Sequence, residues 1–362
     1  MNQRTLIIAE AGVNHNGSLQ NALKLVEVAS DAGADIVKFQ TFKSEKVISK
    51  FAKKAGYQIA NTKNAESQLD MVRKLELSFE DHYQIKKRCV ELGIEFLSTA
   101  FDIQSFNFLV NEMKIKRIKI PSGEITNAPF VFEMAQSQLP VIVSTGMANL
   151  GDIENVLGVI ALGNRHNLNV SAELPSKENF EKAYCSAEGQ AFISQNVEIL
   201  HCTTEYPAPW HEINLRVMST LRSAFPCRIG YSDHSMGISV PIAAVALGAT
   251  TIEKHFTLDT KMDGPDHKAS LNPSELKEMI ESIRRVEVAL GHSSKFPTLS
   301  EYPNRAIARK SLVAAKRIEI GEIFSEVNIT SKRSGDGISP MEYWNILGTK
   351  SNRNYQEDEP IY

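Results

Sequence analysis

The stretch from residue 228 to residue 271 decides the fold, because it reads as one strand-helix-strand unit with a histidine at the end of each strand. It contains Arg-Ile-Gly-Tyr-Ser-Asp-His (228–234), an alanine-rich segment (240–248) and Thr-Ile-Glu-Lys-His-Phe-Thr (251–257). The small apolar middle segment, which closes with a glycine, predicts a crossover helix. In parallel α/β folds the carboxyl ends of neighbouring strands share one rim, where ligands bind. We therefore expect His234 and His255 on the same rim.

Two imidazoles on one rim can hold a divalent metal ion and leave coordination positions open for water and substrate. The alternative is that His234 and His255 are hydrogen-bonded structural residues at the strand ends. The residues alone leave both interpretations open.

Six further short apolar runs precede this unit, and most of them end in polar residues. Helical patterns separate the runs, which gives eight strand-helix alternations and predicts a (β/α)8 barrel over residues 1–291. The predicted strands are 5–10, 35–40, 95–99, 117–122, 141–145, 197–203 and the two already named.

The 362 residues exceed the roughly 250 of a single α/β barrel, so a second domain is expected. Two segments interrupt the barrel: a long polar excursion at 41–75, expected to cover or line the site, and a surface insertion at about 164–195, expected to play no part in chemistry. Residues 292–308 read as a linker. The last segment, 309–362, predicts short β segments that are too few to bury a large core alone, so we expect this piece to dock on another surface.

Composition excludes several classes of protein. A net charge of −3 with no basic stripe gives no indication of nucleic-acid binding. The four cysteines lack metal-ligand or disulfide spacing, which favours reduced thiols. No apolar run approaches the roughly 20 residues of a transmembrane helix, and no signal peptide is evident, so we expect a cytoplasmic protein without membrane attachment.

Two lysines lie inside predicted strands, where side chains should be apolar. Parallel barrel strands are buried on both faces, so an unpaired ammonium there is unfavourable. With the hydroxyls of Thr99, Ser122 and Ser144 nearby, Lys38 and Lys119 are expected to form a cradle for a phosphate or carboxylate. The alternative is that the lysines form buried salt bridges with Glu10 and Glu124.

Loops at the predicted barrel mouth add further candidates. Glu124 follows a Pro-Ser-Gly turn, and Asp266 follows Gly-Pro just past the eighth strand. Either carboxylate could accept hydrogen bonds from a polyol or act as a general acid or base. The alternative is that both are solvated surface residues. Tyr206 belongs to an aromatic loop suited to one wall of a sugar or carboxylate pocket, with ordinary loop packing as the alternative. His15 and His201 are interpreted as structural residues.

Taken together, these motifs resemble the bacterial sialic acid synthase family. The resemblance covers nearly the whole chain, and the C-terminal piece is similar to that family's antifreeze-like (SAF) domain, with the turn from Lys332 to Ile338 as its most recognisable part. The motifs are Ala-Glu-Ala-Gly-Val-Asn-His-Asn-Gly (9–17), Val-Lys-Phe-Gln (37–40), Lys-Ile-Pro-Ser-Gly-Glu (119–124), Ser-Thr-Gly-Met (144–147), His-Cys-Thr-Thr-Glu-Tyr-Pro (201–207), Ser-Asp-His (232–234), Glu-Lys-His-Phe (253–256) and Gly-Pro-Asp (264–266).

The resemblance implies condensation of phosphoenolpyruvate with an N-acetylated mannose-type sugar, giving a nine-carbon 2-keto sugar acid and phosphate. It implies Mn2+ at His234 and His255, with Mg2+ or Co2+ as alternatives, and Glu10 or Glu124 as the group that orients a water. It also implies a domain-swapped homodimer in which Arg333 of one subunit reaches the barrel of the other. The implied substrate-binding residues are Lys38, Gln40, Thr99, Lys119, Ser122, Ser144, Thr204, Tyr206, Ser232 and Asp266, with Glu124 on the sugar.

Within the family, the stretches 208–210 and 264–270 look closer to legionaminate synthases, whereas 334–348 looks as close to N-acetylneuraminate synthases. The acceptor is thus N-acetylmannosamine or 2,4-diacetamido-2,4,6-trideoxymannose. These sugars differ at C4 and C6, which residues 57–68 are placed to read. Ser334 stands where the family pattern has proline. A rival function is a metal-dependent barrel aldolase or isomerase of sugar phosphates, which would not release phosphate.

Overall fold

A computed structural model describes residues 4–54, 67–167 and 173–362. The chain divides into two compact units, Met1–Gly291 and His292–Tyr362. None of the helices within the described ranges is both long and apolar enough to cross a membrane. The segment predicted to read the acceptor, 57–68, lies outside the described residues except for its last positions.

The described part of the first unit contains eight strands. They are β1 (Leu6–Gly12), β2 (Ile36–Thr41), β3 (Glu95–Ala100), β4 (Ile118–Ile120), β5 (Val141–Ser144), β6 (Val197–Cys202), β7 (Arg228–Asp233) and β8 (Thr251–His255).

Helices separate the strands in the order that the alternating pattern predicts. They are α1 (Leu19–Asp31), α2 (Ser44–Val47), α3 (Gln68–Arg73), α4 (Phe79–Leu92), α5 (Ile103–Asn107), α6 (Ala128–Ala135), α7 (Leu150–Asn167), α8 (Lys177–Cys185), α9 (Ala187–Asn196), α10 (Val217–Ala224), α11 (Ser239–Ala246) and α12 (Pro273–Leu290).

All eight strands run parallel in one sheet, in the order β3-β2-β1-β8-β7-β6-β5-β4. The two end strands, β3 and β4, also lie side by side, so the sheet curls into a nearly closed barrel. Helices cover its outer face, with α1 packed against both α4 and α12. The predicted (β/α)8 barrel is confirmed.

Side-chain alternation divides the barrel core into two layers. Inward-facing Ile8, Ile36, Leu97, Ile142 and Leu200 form a small apolar cluster inside the barrel. Residues of the opposite parity, such as Ile7, Val37 and Phe96, pack in the large cluster between strands and helices. Because successive strand residues alternate sides, the position two residues beyond each inner apolar residue also faces inward, closer to the carboxyl rim. This layer carries the polar groups of the site.

Local sequence signals account for the helix ends that frame the barrel. The Ser18 side chain accepts a hydrogen bond from the Asn21 N–H at the start of α1. Asn272 and Glu275 form a capping box that begins α12, with Pro273 at the first helical position. These caps satisfy N–H groups that a helix leaves unpaired.

The segment predicted as a surface insertion at about 164–195 contains helices in its described part. Helix α7 runs as far as Asn167, and α8 and α9 begin at the side-chain caps Ser176 and Ser186. Both helices bury side chains against the barrel, including Ala183 and Ile193. The segment is therefore part of the helical outer layer, and its polar composition concealed the helices.

The predicted linker, residues 292–308, also contains a helix, α13 (Tyr302–Ala308). In the second unit, β9 (Ser311–Ala314) and β10 (Ile329–Lys332) pair antiparallel, and a short helix α14 (Tyr343–Ile346) follows. This unit has its own small apolar core, formed by Leu312, Ala314, Ile318, Phe324, Ile329, Tyr355 and Ile361.

The turn after β10 carries Arg333, which is exposed. The Ser334 hydroxyl donates to the Asp336 carbonyl at 2.6 Å, and the Asp336 carboxylate accepts from the Gly337 N–H at 2.8 Å. Ser334 thus supplies a local hydrogen bond at the position where the family pattern has proline.

Candidate active site

The polar layer of the barrel interior begins with Lys38 on β2. Its ammonium lies 2.7 Å from the Glu10 carboxylate and 3.4 Å from the Glu253 carboxylate, and it donates to the Thr99 hydroxyl at 3.2 Å. All four residues are buried. The cluster therefore couples β1, β2, β3 and β8 through one cation.

Lys119 on β4 occupies the other side of the same layer. Its ammonium donates to the Ser144 hydroxyl at 2.6 Å and lies 3.6 Å from the Glu253 carboxylate, which also accepts from the Ser232 hydroxyl at 2.8 Å. The salt-bridge alternative is thus found for Lys38 with Glu10, but Lys119 lies beside Glu253 and not beside Glu124. Glu253 bridges the two lysines, which keeps both cations within one site.

The two buried carboxylates differ in acidity. Burial raises the pKa of Glu10 to about 7, against the opposing charge of Lys38. Burial also favours the protonated form of Glu253, but the charges of Lys119 and Lys38 outweigh it and lower the Glu253 pKa to about 2. Near neutral pH, Glu253 is therefore the fixed counter-charge, whereas Glu10 can exchange a proton.

His234 and His255 lie on the rim as predicted, with ring centroids 5.6 Å apart. The Nδ1 of His234 lies 2.6 Å from the Thr203 carbonyl oxygen. Since a carbonyl only accepts, Nδ1 carries the proton and Nε2 keeps its lone pair. Burial lowers the pKa of His234, and burial together with the neighbouring His234 lowers the pKa of His255 well below its usual value. The lowered pKa values favour the neutral imidazole, which is the form that binds a metal ion.

The donor set fits a divalent metal ion that keeps open positions. The Nδ1 of His255 is buried with no hydrogen-bond partner among the described residues. Within the described ranges, no three His, Cys, Asp or Glu side chains cluster in a way that would fill a coordination sphere. Two imidazoles would thus supply part of the sphere, and substrate or water would supply the rest.

Glycines allow the polar side chains to approach one another. Gly12 has a φ of +52°, and a Cβ there would lie 3.2 Å from Glu10 and 3.3 Å from the His255 ring. At Gly146, a Cβ would lie 2.0 Å from the Thr204 hydroxyl and 2.9 Å from that of Ser122. The Gly146 N–H also donates to the Ser122 hydroxyl at 3.0 Å. A side chain at either position would displace groups of the site.

Asp266 and Tyr206 lie on loops above the strand ends. The Tyr206 ring stacks at a tilt against His234, with centroids 4.2 Å apart. Asp266 is 8% exposed and has no ion-pair partner among the described residues, and burial raises its pKa to about 6. The Asp266 carbonyl accepts from the Ser270 hydroxyl at 2.7 Å, and Ser270 in turn accepts from Asn14 at 2.9 Å. The Asp266 loop is therefore tied to the loop after β1.

A cavity of about 300 Å³ opens over this layer. Most of the predicted site residues line it, namely Glu10, Lys38, Gln40, Thr99, Lys119, Ser122, Ser144, Thr204, Tyr206, Ser232, His234, His255 and Asp266. Glu124 does not: its carboxylate accepts from Asn127 at 2.6 Å. Arg333 belongs to the second unit.

Glu253 is the residue that sequence reasoning missed as a site group. It stands two residues before His255, so strand alternation turns both side chains inward, and this parity could have identified it. The intervening Lys254 faces the helices, where its ammonium lies 2.5 Å from the Asp233 carboxylate with both side chains fully buried. Tyr231 and Ser235 also donate to Asp233. This outer pair joins β7 and β8 immediately behind the two histidines.

Comparison with known proteins follows the same division of the chain. Residues 25–295 match the NeuB family, and residues 309–362 match the SAF domain. The chain is 51% identical to an N,N'-diacetyllegionaminic acid synthase of Campylobacter jejuni over 359 residues, which cover 99% of each chain. It is 42% identical to the synthase of the same name from Legionella pneumophila, over 96% of this chain and 90% of that protein.

Among solved structures, the chain is similar to an N-acetylneuraminic acid synthetase of Leptospira borgpetersenii in complex with citrate. The TM-score is 0.67 at 32% identity, covering 84% of this chain and 90% of that one.

Proposed function

The chain belongs to the NeuB family of sialic-acid-type synthases, and we propose that it condenses phosphoenolpyruvate with 2,4-diacetamido-2,4,6-trideoxymannose. The products are N,N'-diacetyllegionaminate and phosphate. The similarity to two N,N'-diacetyllegionaminic acid synthases over nearly the whole chain carries the choice of acceptor. The cavity with two lysines and two histidines on one barrel rim supplies the matching chemistry.

In this proposal the lysine cradle binds phosphoenolpyruvate. Lys38 with Thr99, and Lys119 with Ser144, present two ammonium groups and two hydroxyls to the cavity. Each charge-assisted hydrogen bond to a phosphate or carboxylate contributes roughly 1.5–3 kcal/mol. Ser122 adds a third hydroxyl, and Glu253 keeps both lysines in place between turnovers.

His234 and His255 would hold the divalent ion, for which we propose Mn2+, with Mg2+ or Co2+ as substitutes; when bound it supplies Lewis-acid polarisation of the acceptor aldehyde. Tyr206, beside His234, would form a wall against the open-chain sugar, and Asp266 would accept hydrogen bonds from its hydroxyls.

Carbon C3 of phosphoenolpyruvate then forms a bond with the aldehyde carbon as the C2–C3 double bond opens. Of the two protons of the water that adds at C2, one ends on the former aldehyde oxygen and the other leaves with the phosphate. We assign to Glu10 the proton transfer from the water that adds at C2, because Glu10 lines the cavity whereas Glu124 does not line it and accepts a hydrogen bond from Asn127. The tetrahedral centre at C2 expels phosphate by cleavage of the C–O bond. Lys38 and Lys119 stabilise the charge on the departing phosphate.

The remaining assignments concern assembly and compartment. We propose a domain-swapped homodimer in which Arg333 of one subunit contacts the acceptor bound in the other. The family resemblance and the exposure of Arg333 support it. We also propose that the protein works in the cytoplasm, since all four of its cysteines are free thiols.

Phosphate release from phosphoenolpyruvate, measured with and without the diacetamido sugar and Mn2+, tests the proposed reaction. Release that requires both is expected. The matched variants Glu10→Gln and Glu124→Gln test the proton assignment: the first should lower kcat by at least about 100-fold, the range of general-base catalysis, and the second by much less. Metal-dependent conversion of a sugar phosphate without phosphate release would instead support the aldolase or isomerase.

A further inference from the structure

The cavity has a polar floor and an apolar wall, and the proposed function so far uses the floor and the loop residues Tyr206 and Asp266. The floor consists of strand residues such as Lys38, Lys119 and His255. The wall consists of residues from the loops after β1, β2 and β3 and from α2 and α3, namely Val13, Phe42, Val47, Ile48, Met71, Val72, Leu75 and Phe101. Most of them also form an apolar cluster separate from the main core.

Partly buried hydrogen bonds fix the position of this wall. Glu76, just beyond α3, accepts from both the N–H and the hydroxyl of Ser44 at 3.0 Å, and from the Lys43 ammonium at 2.9 Å. The Lys43 N–H donates to Asp102 at 2.9 Å. Helix α2 is thereby tied to the end of α3 and to the start of α5. The wall is thus a built surface of the cavity.

Helix α3 presents a mixed face to the cavity. Gln68, Met71 and Val72 are separated by three and four residues, so they lie on one side of the helix, and all three line the cavity. On the other side, Asp70 and Arg73 are exposed and form an ion pair at 3.5 Å. The cavity face of α3 therefore offers one amide group beside two apolar side chains.

The reaction fixes the direction in which the acceptor lies. Its aldehyde carbon must reach the floor, where the histidines and the phosphoenolpyruvate cradle are. Helices α2 and α3 follow the carboxyl end of β2, so the wall stands beyond the strand ends, towards the mouth. The far end of an open-chain hexose, C4 to C6, then meets the wall.

We propose that this wall selects the acceptor, with Met71, Val72 and Leu75 receiving a methyl group at C6 and Gln68 hydrogen-bonding an acetamido group at C4. This inference rests on the proposed function and names the residues that decide its substrate. A C6 hydroxyl directed at the wall would lose its hydrogen bonds to water and gain no hydrogen-bond partner from the apolar side chains, which is unfavourable. An apolar pocket discriminates against an added hydroxyl by about 100-fold in kcat/KM.

Four acceptors that vary C4 and C6 independently test the proposal: N-acetylmannosamine, its 6-deoxy form, 2,4-diacetamido-2,4-dideoxymannose and 2,4-diacetamido-2,4,6-trideoxymannose. Phosphate release with the unaltered enzyme should favour the 6-deoxy member of each pair by about 10- to 100-fold in kcat/KM. Met71→Gln should reduce that C6 preference at least about 5-fold without changing the KM for phosphoenolpyruvate. Gln68→Leu should reduce the C4 preference alone.

Arg73→Gln, on the exposed side of α3, is the matched control and should leave both preferences unchanged. Equal use of 6-deoxy and 6-hydroxy sugars by the unaltered enzyme would overturn the proposal while leaving the proposed function in place. A C6 preference that persists unchanged in Met71→Gln would also overturn it. Absence of phosphate release with all four sugars would remove the proposed function itself and this inference with it.

Discussion

The variant Asp266→Asn should make the barrel more stable at neutral pH while weakening acceptor use. Asp266 is buried without an ion-pair partner among the described residues, and burial raises its pKa from 3.8 to about 6. A carboxyl group with a raised pKa favours folding at low pH, and this contribution is lost as the pH rises through about 6. At 1.36 kcal/mol per pKa unit, the rise of the Asp266 pKa from 3.8 to about 6 corresponds to about 3 kcal/mol of unfolding free energy lost at neutral pH. Asparagine has nearly the same shape and no charge.

Urea unfolding followed by circular dichroism, from about pH 4 to pH 8, measures the effect. The gain in unfolding free energy of Asp266→Asn over the unaltered protein should be small near pH 4, grow through pH 6 and level off at up to about 3 kcal/mol. Asp263→Asn removes an exposed carboxylate from the same loop and should change stability by no more than about 0.5 kcal/mol. A gain for Asp266→Asn that is absent, negative or independent of pH would refute the assignment of Asp266 as an unpaired buried acid.

Three further outcomes test other parts of the account. Lys254→Met should lower the unfolding free energy by about 3–5 kcal/mol, because it leaves the buried Asp233 carboxylate unpaired. Adding Asp233→Asn to this variant should restore part of the loss. Equal stability of the unaltered protein, the single variant and the double variant in urea unfolding would contradict the ion pair. Gly146→Ala should raise the KM for phosphoenolpyruvate by displacing the Ser122 hydroxyl, which lies 2.9 Å from the position of the new Cβ, and an unchanged KM would remove Ser122 from the cradle. Lys119→Ala should weaken phosphoenolpyruvate binding by about 10-fold or more in calorimetric titration, and unaltered affinity would remove Lys119 from the cradle.

Strand alternation explains why much of the site was predictable. Lys38 follows Ile36 by two positions and Ser144 follows Ile142 by two, so the parity that builds the inner apolar cluster also directs these polar groups inward. The positions of His234 and His255 on the rim were predictable because both residues stand at the carboxyl ends of predicted strands. The eight-fold alternation of strands and helices was evident from periodicity alone.

Residues outside the strands escaped this reasoning for physical reasons. Glu124 lies in a short 3₁₀ turn, and hydrophobic periodicity does not predict where such a turn directs a side chain. Its carboxylate accepts a hydrogen bond from Asn127 and does not line the cavity. The helices α8 and α9 carry many polar residues because only a narrow stripe of each is buried, so composition suggested a loop. Their caps, Ser176 and Ser186, were the available signal.

The fate of C3 of phosphoenolpyruvate decides whether the enzyme joins phosphoenolpyruvate to the sugar. Phosphoenolpyruvate labelled with carbon-13 at C3 would be incubated with the enzyme, Mn2+ and 2,4-diacetamido-2,4,6-trideoxymannose, and the products would be followed by carbon NMR. We expect the label to appear as a methylene carbon bonded to the former aldehyde carbon of the sugar, with one phosphate released per bond formed. Label that remains in phosphoenolpyruvate, or appears only in the methyl group of pyruvate, would contradict it.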